Sequence, residues 1–312
     1  TTHEMFQPMY GSIVLEMVSD SPAGEILGET TKEYVFEACG EKLDMAQLQE
    51  IWEGKLEPVY PYRKAGPTVE KINGKLTAPA APKIGVAKPK VIIPVFPGTN
   101  CEYDTAKAFA RAGADPEILV IRNLTPADVA ESCKALVKAI DNSQIVMLPG
   151  GFSGGDEPDG SAKFIASFFR NPEVTEAVRR LLQQRDGLML GICNGFQALI
   201  KLGLVPYGDI RPITAYDPTL TFNTIGRHQS MLVRTRIAST GSPWLSKCEV
   251  GEQFTVAISH GEGRFVAPQE VLDTLMKNGQ ITTQYVDIEG NPTMDQRYNP
   301  NGSVLAIEGI TS

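Results

Sequence analysis

The chain has 312 residues, is 42% hydrophobic and 21% charged, and carries a formal net charge of −8, a length and balance that suit one large or two ordinary globular domains. The negative charge argues against a general nucleic-acid binder and against a binder of acidic membrane surfaces, and no apolar run approaches the ~18 residues of a membrane span. The five cysteines are scattered, odd in number and free of Cys-x-x-Cys spacing, so neither a zinc site nor a disulfide framework is expected, and a reducing, cytoplasmic setting is.

In chain order, Ser12-Ile13-Val14-Leu15-Glu16-Met17 reads as a strand, followed by a turn at Ser21-Pro22-Ala23-Gly24. A second strand is expected at Glu33–Glu37 and an amphipathic helix at Asp44–Trp52. Residues 1–64 hold few large apolar side chains and make a marginal core by themselves, a short α+β piece that reads as the end of a larger domain. Residues 65–88, with Gly66-Pro67, Asn73-Gly74 and Ala78-Pro79-Ala80-Ala81-Pro82-Lys83, lack either periodicity and read as a linker.

From residue 89 the pattern alternates. Val91-Ile92-Ile93-Pro94-Val95 is a strand, Asp104–Ala112 a helix, Glu117–Ile121 a strand, and Thr125-Pro126 the start signal of another helix. Strands follow at Ile145–Leu148 and Leu188–Leu190. This alternation predicts an α/β fold, a doubly wound and mostly parallel sheet with helices on both faces. Past residue 228 the chain turns strand-rich, at Gln229–Thr235, Phe254–Ser259, Thr282–Val286 and Val304–Ile307, which predicts antiparallel or mixed additions to one side of that sheet.

The chemistry concentrates at Gly191-Ile192-Cys193-Asn194-Gly195. A reactive side chain lifted out of a sheet between strand and helix needs small residues two before and two after it, and both are glycine. The sulfur of Cys193 then lies at a helix N-terminus, where the dipole favours thiolate and free N–H groups receive an oxyanion. Upstream, Pro149-Gly150-Gly151-Phe152-Ser153-Gly154-Gly155-Asp156 empties from a neighbouring strand. Loops at the carboxyl ends of parallel strands converge on one crevice. The N–H of Gly151 is therefore expected opposite that of Asn194, as a two-donor oxyanion hole. No Gly-Lys-Ser/Thr follows the glycines, which speaks against a P-loop.

Pro97-Gly98-Thr99-Asn100-Cys101-Glu102, Pro149–Ser153, Gly191–Gln197 and Ser259-His260-Gly261-Glu262-Gly263-Arg264-Phe265, in this order, together resemble the glutaminase domain of phosphoribosylformylglycinamidine synthase, a class I glutamine amidotransferase. The resemblance covers roughly residues 89–312. Tyr10-Gly11-Ser12 and Tyr60-Pro61-Tyr62 look like the last stretch of that family's synthetase half. The resemblance implies that Cys193 attacks glutamine, forms a thioester and releases ammonia to a synthetase half of the same enzyme. That half would aminate a formylglycinamide ribonucleotide in purine biosynthesis with ATP and Mg, and no cofactor is expected in this chain. Phe196 and Gln197 match family positions beside the glutamine pocket.

Three histidines are present, His3, His228 and His260. His260 and Glu262, two apart on one strand face, suit a base and its orienter when read from the residues alone. In the family the triad His and Glu belong instead to a His-Pro-Glu-Arg segment after the last strand. No such segment precedes Ser312, so the resemblance makes His260 and Glu262 pocket-forming neighbours and leaves this chain by itself without turnover. His228 reads as a surface histidine and Cys101 as structural. Two alternatives remain open at this point: another cysteine-elbow hydrolase or chaperone-like relative, and a non-catalytic docking module.

Overall fold

A computed structural model describes residues 7–19, 24–59, 61, 64–74, 85–153 and 161–312, which divide into two units, Thr1–Tyr62 and Arg63–Ser312. Several expected features lie outside the described residues: the turn at Ser21-Pro22-Ala23, Tyr60 and Tyr62, the Pro/Ala-rich stretch 78–83, Gly154 to Asp156 of the glycine-rich loop, and His3.

In the first unit, β1 (Val35–Ala38) and β2 (Glu41–Asp44) form an antiparallel hairpin. Its two-residue turn has positive φ at both positions, +53° at Cys39 and +82° at Gly40, the twist that joins two strands most tightly. Helix α1 (Met45–Gly54) follows, and the Asp44 carboxylate caps it by accepting from Ala46 N at 2.8 Å. No residue of α1 is buried. Ser12–Met17 forms no strand: Ile13, Val14 and Leu15 are exposed. A β-prone run needs a partner ladder to become a strand, and no described strand pairs with it.

The second unit opens with a segment that departs from the expected linker. Thr68 makes a β-bridge to Thr293, Ile72 is buried, and Ile72 N donates to the side chain of Gln284 at 3.0 Å. Residues 64–74 are thus packed into the unit, because their backbone groups complete buried polar side chains of the strands beside them.

The parallel sheet holds β3 (Lys90–Val95), β4 (Asp115–Val120), β5 (Ile145–Leu148) and β6 (Leu188–Gly191) in the order β4-β3-β5-β6. The helices between them are α2 (Glu102–Arg111), α3 (Pro126–Asp141), α4 (Lys163–Phe169) and α5 (Pro172–Arg179). Thr125 and Asp128 form a reciprocal cap at the start of α3. The core on one face gathers Phe96, Phe168 and Phe169, with Phe96 and Phe168 edge-to-face at 5.5 Å. Since the chain leaves β3 for β4 on one side and returns to β5 on the other, the sheet has its switch point between β3 and β5, and the loops after these strands meet at the carboxyl edge.

The C-terminal strands do not extend this sheet. β8 (Gln229–Ile237), β9 (Gln253–His260), β11 (Ile281–Val286) and β12 (Ile307–Ile310) make a separate antiparallel sheet in the order β12-β11-β8-β9. A small pair, β7 (Thr219–Thr221) with β10 (Arg264–Val266), lies apart from it. The outer half of β8 alternates part-buried and exposed residues, which suits a sheet with one wet face rather than a doubly covered one. The expected strand at Val304–Ile307 is a 3-10 turn over Val304–Ala306. Leu305 and Ala306 there have φ of +53° and +56°, and Gln284 Nε2 donates to the Leu305 carbonyl at 2.9 Å. The strand begins only at Ile307.

Candidate active site around Cys193

β6 ends at Gly191, and helix α6 (Asn194–Leu202) starts three residues later. Cys193 makes the reversal at φ +54° and ψ −111°, a conformation costly for a residue with a side chain and held only by its surroundings. The flanking glycines explain themselves. A Cβ on Gly191 would lie 2.5 Å from Gly195 O, and one on Gly195 would lie 2.0 Å from Leu148 O.

The loops after β3 and β5 lie side by side beneath this turn. Phe152 N donates to Gly98 O at 2.9 Å, Asn100 N to Gly150 O at 3.3 Å, and Thr99 bridges Gly151. Gly98 and Gly151 take φ of +94° and +144°, and a Cβ on Gly98 would meet the Phe152 carbonyl. The backbone N–H groups of Gly151 and Asn194, from two different strand ends, both act on the Cys193 sulfur to favour its thiolate.

The thiol itself differs from expectation. Burial pushes its pKa up from the ordinary value, the two N–H groups pull it back, and the nearby Cys101 sulfur adds to the rise. The helix N-terminus does not outweigh desolvation here, since no cation is among the groups acting on the sulfur.

Asn194 and Gln197 are buried and run a chain of bonds across the site. Ser153 N donates to Asn194 Oδ1 at 3.3 Å, Asn194 Nδ2 donates to Gln197 Oε1 at 2.9 Å, and Gln197 Nε2 donates to the Glu262 carbonyl at 2.7 Å. Gln197 thus joins the elbow helix to the loop after β9. Phe196 is partly buried and packs against the main core.

Glu262 reaches the site through its carbonyl on Gln197, and its carboxylate accepts from Ser161 Oγ rather than from His260. Among the described residues, the buried His260 Nδ1 has no hydrogen-bond partner. Burial lowers the imidazole pKa, with a smaller push from His228. The ring lies over Gly263, where a Cβ would come within 2.7 Å of it. His228 is exposed and bonds through Nε2 to Ser259 Oγ at 2.9 Å.

Two contributors carried no signal in the sequence. Asn223, buried, shapes the whole His260–Gly263 loop: its Nδ2 donates to the carbonyls of Arg227 and His260, and its Oδ1 accepts from Gly263 N. An isolated asparagine before a glycine-poor turn has no pattern that marks it. Tyr285, on β11, is buried with its phenol accepting from Asn301 Nδ2 at 3.1 Å. Burial first, then the neighbouring Glu308, hold its pKa above the ordinary range, and the Cys193 sulfur is among the groups near it.

Comparison with known proteins identifies what the chain is similar to. Residues 88–312 match the CobB/CobQ-like glutamine amidotransferase domain. Phosphoribosylformylglycinamidine synthase subunit PurQ of Methanococcus maripaludis is 35% identical over 229 residues, 71% of this chain and 76% of the relative. The subunit of the same name from Aquifex aeolicus is 34% identical over 223 residues, 71% of this chain and 83% of the relative. Among solved structures, PurLQS from Thermotoga maritima aligns with 23% identity and a TM-score of 0.49, covering 72% of this chain and 84% of that one.

Proposed function

The chain belongs to the CobB/CobQ-like glutamine amidotransferase domain family, in its phosphoribosylformylglycinamidine synthase branch, and from that premise we propose how its residues divide the work of a C–N ligase that takes nitrogen from glutamine. Cys193 is the nucleophile. Its sulfur attacks the side-chain amide carbon of glutamine, and the N–H groups of Gly151 and Asn194 receive the oxyanion. Ammonia leaves, and water then releases glutamate from the thioester. The observation that carries this reading is the Cys193 turn at a helix N-terminus set against the paired loops of Gly98–Asn100 and Gly150–Phe152, whose Gly151 N–H, with that of Asn194, acts on the sulfur.

The raised thiol pKa fits an elbow at rest, with glutamine's carbonyl expected to displace the N–H groups from the sulfur to its own oxygen. Gln197 and Asn194 hold the pocket wall through the Glu262 carbonyl. Phe196 packs the elbow helix onto the core. His260 and Glu262 form the wall itself and are not the base and its orienter, because no described residue, Glu262 included, bonds His260 Nδ1. Ammonia is passed to a synthetase half, to which we assign the ATP and Mg of the ligase reaction, in a cytoplasmic setting. No described helix is long and apolar enough to cross a membrane.

A glutamine-mimicking diazo or chloroketone electrophile, with adducts mapped by mass spectrometry, tests the assignment. Modification at Cys193 is expected. Modification at Cys101 or Cys248 in its place would overturn it.

A further inference from the structure

The loop after β3 brings a second sulfur to the nucleophile. A Cβ built on Gly150 would have three nearest neighbours: Cys193 Cβ at 3.3 Å, Cys101 Sγ at 3.5 Å and Ile192 O at 3.8 Å. Both cysteines therefore border one side of a residue that has no side chain to part them. The loop carrying Cys101 is tied to the Gly150 loop by the Asn100 N to Gly150 O bond, so the approach is built into the crevice. Cys101 is exposed, begins α2, and makes only a long 3.7 Å contact to Asn100 Oδ1. Cys193 is half-buried and also free of any disulfide.

From this juxtaposition we propose that Cys101 and Cys193 form a reversible disulfide under peroxide, and that Cys101 is the modification site that protects the nucleophile from irreversible oxidation. The accessible Cys101 reacts first. Its thiolate attacks a peroxide oxygen, an S–O bond forms, the O–O bond breaks, and hydroxide takes up a proton to leave as water. Cys193 sulfur then attacks the sulfenic sulfur of Cys101. The S–S bond forms, the S–O bond breaks, and a second water departs with the Cys193 proton. Two thiols have given up two electrons to one peroxide. Linking them requires the two Cβ atoms to come within about 3.5–4.5 Å, and the two residues already border the same point beside Gly150. The loss of glutaminase activity that follows from the disulfide rests on the assignment of Cys193 above, whereas the linkage itself does not.

The test is to treat the reduced chain with hydrogen peroxide, block free thiols with N-ethylmaleimide, digest without reductant and map the peptides. A Cys101–Cys193 pair lighter by two hydrogens is expected, restored to two thiols by dithiothreitol. Labelling of Cys193 by the glutamine analogue should fall about tenfold after peroxide and recover with dithiothreitol. In Cys101→Ser, and in Cys101→Ala as a check on folding, Cys193 should instead advance to sulfinic and sulfonic forms that dithiothreitol does not reverse. Cys101 and Cys193 remaining unlinked, Cys193 linking to another cysteine, or Cys101→Ser recovering as fully as the parent would each overturn the proposal. If the disulfide forms but the analogue labels another residue, the proposal stands and the catalytic assignment falls.

Discussion

Gln197 Nε2 donates to the backbone carbonyl of Glu262 at 2.7 Å, so the helix behind the nucleophile and the loop after β9 are held as one wall. Substituting Gln197 by Ala leaves that carbonyl and the Asn194 amide without their partner in a buried place. The expected cost is about 1–3 kcal/mol of stability. Labelling of Cys193 by the glutamine analogue should need more analogue for half-saturation rather than slow at saturation, because the wall shapes the pocket and does not touch the reacting sulfur. Denaturant melts and the concentration dependence of labelling check both parts.

Gly195→Ala should be far more damaging. The new methyl would sit 2.0 Å from the Leu148 carbonyl, a clash with backbone that no rotamer relieves, so the elbow must open. Labelling of Cys193 by the glutamine analogue should fall by about two orders of magnitude or more, since misplacement of reacting atoms by about 1 Å already costs that much. A variant that labels at the parent rate would show that the turn has more play than its contacts suggest.

The Cys193 thiol is pushed above the ordinary cysteine range by burial. In the absence of glutamine, its alkylation by a small neutral reagent should keep rising with pH through about 9, close to tenfold per unit while the thiolate is the minor form. A plateau reached below pH 8 would contradict a raised pKa. Cys193→Ala should abolish labelling by the glutamine analogue, read by mass spectrometry.

His260→Ala separates a pocket wall from a base. With Nδ1 unpartnered and the ring resting on Gly263, the variant should label at Cys193 within about threefold of the parent, whereas loss of a triad base commonly costs several orders of magnitude. Matched pH profiles of the two proteins are the readout, and a vanished limb in the variant would reinstate His260 as the base.

Far from the site, Asp217 accepts from Tyr207 and Thr214 and pairs with Arg211, and its side chain is nearly covered. Desolvation works to raise its pKa, but these partners win and hold it at about 2, below the ordinary 3.8. A depressed carboxylate contributes stability that is present above pH 3.8 and is lost as pH falls toward 2. Asp217→Asn should therefore lower stability at neutral pH, by about 1–3 kcal/mol for the lost charge-assisted bonds. The gap between variant and parent should close on acidification through that window, as followed by thermal melts.

The sequence made the elbow readable because its glycines answer a local demand: two positions where any Cβ strikes backbone. The α/β alternation and the Thr125 cap were readable for the same reason, each being decided within a few residues. What escaped was decided at a distance. Ser12–Met17 has strand composition and no ladder to join. The antiparallel strands close on one another rather than on the parallel sheet. Asn223 matters through three partners that are remote or irregular in sequence. At Cys193, burial, which no motif displays, opposes the helix dipole and keeps the thiol from the thiolate the motif implies.

Arg236 is buried, and its guanidinium donates to the Ile72 carbonyl at 2.7 Å and to the Asn73 side chain at 2.6 Å. Gln284, fully buried, holds the Ile72 N–H and the Glu70 carbonyl. The smallest excisable folding unit is therefore longer than the homologous stretch from residue 88 suggests. A recombinant fragment cut there would strip the buried Arg236 and Gln284 of their partners at residues 70–73, leaving them only each other and the Leu305 carbonyl, and a gene boundary that respects the fold lies upstream of residue 64.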